Sequence, residues 1–277
     1  MSYRTILTVV TDASAATQLD AAIEFARAEE AHLSLLGLGV DATMGGYYFD
    51  AGSAIVQREA IEHAQEQAAA TAAALRARMA REDIRWSVES AIAQFGSLPA
   101  LVGRAARFAD LVVQTRPYGA GRTADAEAVV EAAMFQGGAP VMILPDAGVS
   151  IPRAPKRVVL AWNQSSEALA AIRAALPLLK TAGEVAIVVV DPGTWADRED
   201  PGGSLSQWLD RHGVSTEISV LAKTAPISDV IARFCRETGA DMLVMGAYGH
   251  SRLREAILGG ATRNMLEKTE LPVFMAH

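Results

Sequence analysis

The segment Val158-Val-Leu-Ala-Trp-Asn163-Gln-Ser165 has a counterpart near the start of the chain, Ile6-Leu-Thr-Val-Val-Thr-Asp12-Ala-Ser14. Each is an apolar run that predicts a buried strand, followed by polar residues that favour a turn. Ser165 or Ser166 can cap the helix that follows the turn. Two strand-to-helix starts of the same design indicate an internal repeat.

Two further pairs of segments recur in the same order. Ala109-Asp-Leu-Val-Val113 resembles Ala240-Asp-Met-Leu-Val244, and Ala139-Pro-Val-Met-Ile-Leu resembles Leu271-Pro-Val-Phe-Met-Ala. The first pair of stretches lies about 20 residues further apart than these two pairs, which predicts an insertion in the first copy, within 44–61. The turn-rich run 145–155 separates the copies, so we predict domains at 1–148 and 155–277 with a boundary near residue 150.

Strands and helices alternate in the second copy. The predicted strands are Arg157–Trp162, Glu184–Val190, Thr216–Ala222, Asp241–Met245 and Pro272–Ala276. The predicted helices are Glu167–Lys180, Ser204–Arg211, Ile227–Thr238 and Thr262–Lys268, with a further helix at Ala64–Arg81 in the first copy. Such alternation predicts an α/β fold with a parallel sheet. Ligands of such sheets bind outside the carboxyl ends of the strands.

A glycine-rich segment follows the fourth predicted strand of the second copy. Its pattern is Gly246-x2-Gly249-x9-Gly259-Gly260-x-Thr262. Glycine lets backbone N–H groups approach a phosphate closely, and N–H groups at a helix start attract anions. An isolated glycine pair is more simply a turn or a helix cap. Four glycines directly after a buried strand favour a phosphate loop instead.

This segment resembles the nucleotide loop of the universal stress protein family, whose ATP-binding members carry Gly-x2-Gly-x9-Gly-Ser/Thr. The stretches Thr11-Asp12-Ala-Ser14 and Trp162-Asn163-Gln-Ser165 are similar to the first strand and turn of that family. The resemblance covers nearly the whole chain as two tandem copies. It implies a Rossmann-like α/β domain with a five-stranded parallel sheet in each copy. It also implies ATP or AMP between the ends of the first and fourth strands.

The resemblance also implies a set of binding residues in the second copy. Asn163 and Val190 would lie near adenine. The loop and the helix after it would hold the ribose and phosphates, so that the site comprises Met245, Gly246, Tyr248, Gly249, Gly259, Gly260, Ala261 and Thr262. Gly260 departs from the family pattern, because Ser or Thr is preferred there, and Asn163 replaces an acidic residue. The amide oxygen of Asn163 can still accept a hydrogen bond from the adenine amine.

The first copy has lost the glycine pattern. Thr115 and Tyr118 align with the first two glycines, and the carboxylates of Asp125, Glu127 and Glu131 crowd the region where phosphate would sit. Side chains and negative charge both oppose an anion there. We expect the first copy to be structural or to bind something else, and each chain to hold at most one nucleotide.

Composition restricts the partners and the compartment. The formal net charge of −7 argues against nucleic acids and anionic membranes as partners. The lone Cys235 cannot form an internal disulfide and is interpreted as a buried apolar residue. The start of the chain lacks the pattern of a signal peptide, so we expect a cytoplasmic protein. The five histidines show no metal-ligand spacing.

The leading hypothesis is a stress-response or regulatory protein that binds ATP or AMP and turns the nucleotide over slowly or not at all. Mg²⁺ would accompany ATP. No Gly-Lys-Ser/Thr follows the glycines, and no general base is evident. A slow ATPase, a nucleotidyl transferase and an interaction module with a vestigial loop remain alternatives. The apolar last strands, Val141–Leu144 and Val273–Ala276, predict an internal pseudo-dimer, since single-domain members of the family dimerise through this strand. A further homodimer is left open.

Overall fold

The computed structural model describes residues 2–11, 15–41, 51–119, 122–146, 149–192, 200–247 and 261–277, and only the backbone of 51–56 and 261. The strands are β1 (Thr5–Val10), β2 (His32–Asp41), β3 (Arg85–Gln94), β4 (Leu111–Thr115), β5 (Val141–Leu144), β6 (Arg157–Ala161), β7 (Glu184–Val190), β8 (Glu217–Leu221), β9 (Met242–Gly246) and β10 (Val273–Ala276). The helices are α1 (Ala16–Glu29), α2 (Ala51–Met79), α3 (Leu98–Ala106), α4 (Ala124–Phe135), α5 (Ser166–Leu179), α6 (Gly203–Arg211), α7 (Ile227–Thr238) and α8 (Ala261–Lys268).

The chain forms two compact units. The N-terminal unit comprises Tyr3–Gln114 and Gly121–Ala139, and the C-terminal unit comprises Met1–Ser2, Thr115–Ala120 and Pro140–His277. Packing therefore assigns β5, the last strand of the first sequence copy, to the C-terminal unit. The boundary near residue 150, which concerns the repeats in the sequence, stays a prediction.

The N-terminal unit contains a parallel sheet in the order β3-β2-β1-β4. Its strands are buried apolar runs, with Ile6, Leu33 and Leu111 all fully buried. Helix α2 has 29 residues, whereas α6, which follows the second strand of the other copy, has 9. Much of the extra length of the first copy therefore lies in α2. This helix begins well before the predicted start at Ala64 and ends at Met79.

The C-terminal unit contains a sheet in the order β5-β10-β9-β6-β7-β8. Strands β6 to β10 run parallel, and β5 pairs with β10 in the antiparallel direction. The five parallel strands have the architecture expected for the second copy, which confirms the α/β fold class. The observed bounds of β7 and α7 are also those expected from the sequence.

Registers between strands set which residues meet at the carboxyl edge of this sheet. Ala161, the last residue of β6, pairs with Met245 on β9, and Ala276 of β10 pairs with Gly246. The residues that follow β6 therefore lie beside the end of β9. This edge is where a ligand of a parallel sheet is expected.

Cys235 is fully buried on α7, as the sequence predicts. Burial raises the pKa of its thiol to about 12. Within the described ranges, none of the helices is both long and apolar enough to cross a membrane.

Candidate functional site

A cavity of about 260 Å³ opens at the carboxyl edge of the sheet in the C-terminal unit. Small-molecule sites usually measure about 300–1,000 Å³, so this space is large enough for one ring system of a ligand. Strand ends supply one part of the lining and the first turns of two helices supply another. The described lining residues are Ala161, Trp162, Asn163, Ser165, Val188, Val190, Ile227, Ser228, Ile231, Met245, Gly246, Thr262 and Met265.

Five of the predicted site residues line this one cavity. They come from four separate segments, namely the turn after β6, the end of β7, the end of β9 and the start of α8, and they are Asn163, Val190, Met245, Gly246 and Thr262. Ala261 is the first residue of α8. Tyr248, Gly249, Gly259 and Gly260 lie outside the described residues. Their contact with a nucleotide stays a prediction.

The turn after β6 is fixed by two side chains. The Ser165 Oγ accepts a hydrogen bond from the backbone N–H of Ala168 over 3.1 Å, so Ser165, one of the two serines predicted for this role, caps α5. The Oδ1 of Asn163 accepts a hydrogen bond from the backbone N–H of Ser165 over 3.2 Å. An amide oxygen has two lone pairs, so Asn163 keeps one for a donor on a ligand while it holds the turn.

Gly246 is required by packing between β9 and α5. A Cβ built on Gly246 would lie 2.5 Å from the backbone nitrogen of Ala168 and 2.7 Å from the carbonyl carbon of Glu167. Contacts this short to backbone atoms leave no room for any side chain. This glycine therefore lets the first turn of α5 approach the strand closely, and it provides no independent evidence for phosphate.

The N-terminus of α5 already carries a negative charge. The pKa of Glu167 is held below its ordinary value, first because its carboxylate accepts a hydrogen bond from its own backbone N–H. Hydrogen bonds from Ser165 and Ser166 lower it further, and burial opposes the shift. A carboxylate at a helix start interacts favourably with the helix dipole. Glu167 therefore takes the place that an anionic ligand would otherwise occupy at α5.

The first turn of α8 differs from the corresponding helix of the N-terminal unit. Helix α4 has Asp125 and Glu127 in its first turn, whereas α8 has no acidic residue there. Thr262, in that turn of α8, is buried and lines the cavity. An anion is therefore opposed at the start of α4 and is not opposed by first-turn carboxylates at α8.

Polar side chains fill the edge between β1 and β4 in the N-terminal unit. Gln114, which aligns with Met245, donates a hydrogen bond to the carbonyl oxygen of Val9 over 3.2 Å. Gln18 donates to the same oxygen over 2.9 Å and to the Thr8 Oγ1 over 2.8 Å. The N-terminal unit thus has hydrogen-bonded polar side chains at this edge, whereas the C-terminal unit has a cavity at the corresponding edge. The two copies therefore differ here in structure as they do in sequence.

Sequence reasoning missed the contribution of α7 to the cavity. Ile227, Ser228 and Ile231 all line it, and Met265 of α8 adds a further apolar wall. The signal was available in the chain order, because a helix that follows a parallel strand begins at the carboxyl edge of the sheet. Pro226, which precedes α7, marks that start.

Comparison with known proteins places this architecture in a family. Residues 155–277, which contain the whole cavity lining, match the family model described as the universal stress protein family. Residues 155–277 therefore form a domain of the universal stress protein family. A universal stress protein of Synechocystis sp. is 35% identical over 71 residues, which are 26% of this chain and 24% of that protein.

A second universal stress protein, from Methanocaldococcus jannaschii, is 33% identical over 45 residues, which are 16% of this chain and 28% of that protein. The chain thus spans about a quarter of the length of these curated relatives. A universal stress protein from Archaeoglobus fulgidus has a crystal structure that matches with a TM-score of 0.69 at 18% identity, covering 98% of this chain and 95% of that one. The universal stress protein fold therefore extends over both copies.

Proposed function

We propose that the C-terminal unit binds an adenine nucleotide, ATP or AMP, and that the chain acts as a stress-response or regulatory protein with little or no turnover. The observation that carries this proposal is the cavity at the carboxyl edge of β6, β7 and β9. Its lining combines residues that the family resemblance selects with apolar side chains that suit an aromatic ring. A location at this edge is the general one for ligands of parallel sheets.

The walls of the cavity suit a purine base. Val188, Ile231 and Met245 are all buried, and all three line the cavity. Apolar side chains favour the faces of an aromatic ring because contact removes both surfaces from water. Asn163 stands at the turn beside them with an oxygen that can accept from an exocyclic amine.

The start of α8 suits the phosphates. It comes directly after the glycine-rich segment, and its first turn contains no acidic side chain. Free N–H groups and the dipole at a helix start stabilise an anion. The corresponding position on α5 carries the Glu167 carboxylate, so α8 is the better phosphate site of the two. Mg²⁺, when present, would accompany ATP through its phosphates.

The experiment begins with protein purified without added nucleotide, which is denatured so that any released ligand can be identified by mass spectrometry. Calorimetric titration of ligand-free protein with AMP and with ATP plus Mg²⁺ then gives affinity and stoichiometry. We expect one adenine nucleotide per chain and hydrolysis far below about 1 per second. Two equivalent sites, or no binding of either nucleotide, would contradict the proposal, and rapid hydrolysis would favour the ATPase alternative.

A further inference from the structure

Ser228 places a buried hydroxyl on the wall of the cavity. It lies in the first turn of α7, its side chain is 3% exposed, and it lines the same space as Asn163 and Val190. Within the described part of the chain, the Ser228 Oγ is buried without a hydrogen-bond partner. A buried hydroxyl that makes no hydrogen bond destabilises a folded protein, so such a group requires an explanation.

Each of the neighbouring small polar side chains of the lining already makes an interaction within the protein. The Ser165 Oγ accepts from the N–H of Ala168, and the Oδ1 of Asn163 accepts from the N–H of Ser165. Thr262 also has an interaction. Ser228 therefore differs from the other small polar side chains that line the described cavity, because its hydroxyl makes no hydrogen bond to any described residue.

We propose that the Ser228 hydroxyl hydrogen-bonds to an edge of the purine base and thereby contributes to base recognition. This inference rests on the proposed function, and it gives α7, which otherwise supplies apolar walls, a polar contact with the base. Apolar contacts hold the faces of a ring without fixing its rotation in the plane, whereas one directed hydrogen bond fixes that rotation. The walls that would hold the ring faces include Ile231 of the same helix.

The chemistry of a hydroxyl limits the group that it meets. A serine donates one hydrogen bond and accepts others, so it can pair with a ring nitrogen or with an exocyclic amine. Either pairing uses a single atom of the base. Once that atom is missing from the ligand, removing the hydroxyl should not weaken binding any further. When any other polar atom of the base is missing, removing the hydroxyl should still weaken binding.

The first test compares the parent protein with Ser228→Ala, with Ser204→Ala as the matched control. Ser204 is exposed in the first turn of α6, and it is not among the residues that line the cavity. Its hydroxyl donates a hydrogen bond to the Asp200 carboxylate over 2.8 Å. Calorimetric titration with AMP should show about 2- to 10-fold weaker binding for Ser228→Ala and unchanged binding for Ser204→Ala. Thermal unfolding of ligand-free Ser228→Ala should be unchanged or raised, since an unpaired buried hydroxyl is removed.

The second test uses AMP analogues that each lack one polar atom of the base, namely the 6-amine, N1, N3 or N7. We expect Ser228→Ala to weaken the binding of every analogue except one. The exception is the analogue that lacks the atom to which the hydroxyl bonds. Unchanged AMP binding by Ser228→Ala, or equal weakening for every analogue, would overturn the role of Ser228 while leaving the proposed function intact. Failure of the parent protein to bind AMP or ATP would instead overturn the proposed function, and this inference with it.

Discussion

The guanidinium carbon of Arg263 lies 4.8 Å from the centre of the Tyr118 ring. Tyr118 is a residue of the first sequence copy that belongs to the C-terminal unit, and Arg263 follows Thr262 on α8. Cation–π contacts of this kind stabilise a protein by about 0.5–2 kcal/mol, depending on burial. Tyr118 is 5% exposed, so replacing it should destabilise α8, whose first turn is the candidate phosphate site.

A double-mutant cycle tests this contact. We expect Tyr118→Leu and Arg263→Gln to be coupled by about 0.5–1 kcal/mol in the free energy of unfolding, measured by urea denaturation. Tyr118→Phe retains the ring and serves as the control, which should keep most of the coupling with Arg263. Fully additive effects of the two substitutions would show that the ring and the cation do not interact in solution.

A carboxylate placed in the cavity should block the nucleotide. Val190→Glu adds a negative charge at the end of β7, among the cavity-lining residues, and should weaken AMP binding by more than about tenfold. The matched control is Val220→Glu on β8, a position that is 53% exposed and is not part of the lining. Calorimetric titration distinguishes the two variants, and equal affinities would mean that the base binds elsewhere.

Gly246→Ala should destabilise the C-terminal unit. The added Cβ would meet backbone atoms of α5 at 2.5 Å, and forced overpacking of this kind costs about 1–3 kcal/mol. Gly96→Ala is the control, because a Cβ there meets no atom within 4 Å. Urea denaturation should show a lower free energy of unfolding for Gly246→Ala and no such decrease for Gly96→Ala. Equal stability of the two variants would indicate that α5 can move away from the strand.

Cys235 should be unreactive in the native protein. Burial raises its pKa to about 12, so the thiolate that attacks thiol reagents is scarce at pH 8. We expect negligible labelling by an aromatic disulfide in buffer and one equivalent per chain in denaturant, since the chain has a single cysteine. Rapid stoichiometric labelling under native conditions would contradict the buried position on α7.

Glu167 should contribute a pH-dependent part of the stability. Its pKa is lowered in the folded protein below the value of about 4.3 that is typical of an unfolded chain. The stabilisation is therefore fully present above that unfolded value and is lost as pH falls through the lowered pKa. The free energies of unfolding of the parent and of Glu167→Gln, measured by urea denaturation, should differ more at pH 7 than at pH 3. A difference that stays constant over this range would show that the charge is not responsible.

The sequence predicts the strands and part of the site for identifiable reasons. Buried apolar runs define β7, and Pro226 with Gly239 marks the two ends of α7. The family resemblance implies a ligand between the ends of the first and fourth strands, so the placement of Asn163 near Met245 could be predicted from it.

Other features depend on tertiary packing and could not be read from the pattern. Which side of α7 faces the cavity decides the position of Ser228, and helical periodicity does not reveal a small polar residue turned inward. The reason for Gly246 also lies in packing, because only the close approach of α5 requires it. A glycine in a loop pattern has the same appearance in sequence whether it makes room for a helix or for a phosphate.

The antiparallel pairing of β5 with β10 has a consequence for how the protein behaves on dilution. Val141 pairs with Met275 and Ile143 with Val273 inside one polypeptide, so the contact forms at the effective concentration set by the intervening chain. It therefore persists at any expression level, unlike an association between separate molecules. A fragment of residues 149–277 would lack β5 and present an apolar strand edge, and it should self-associate in a concentration-dependent manner.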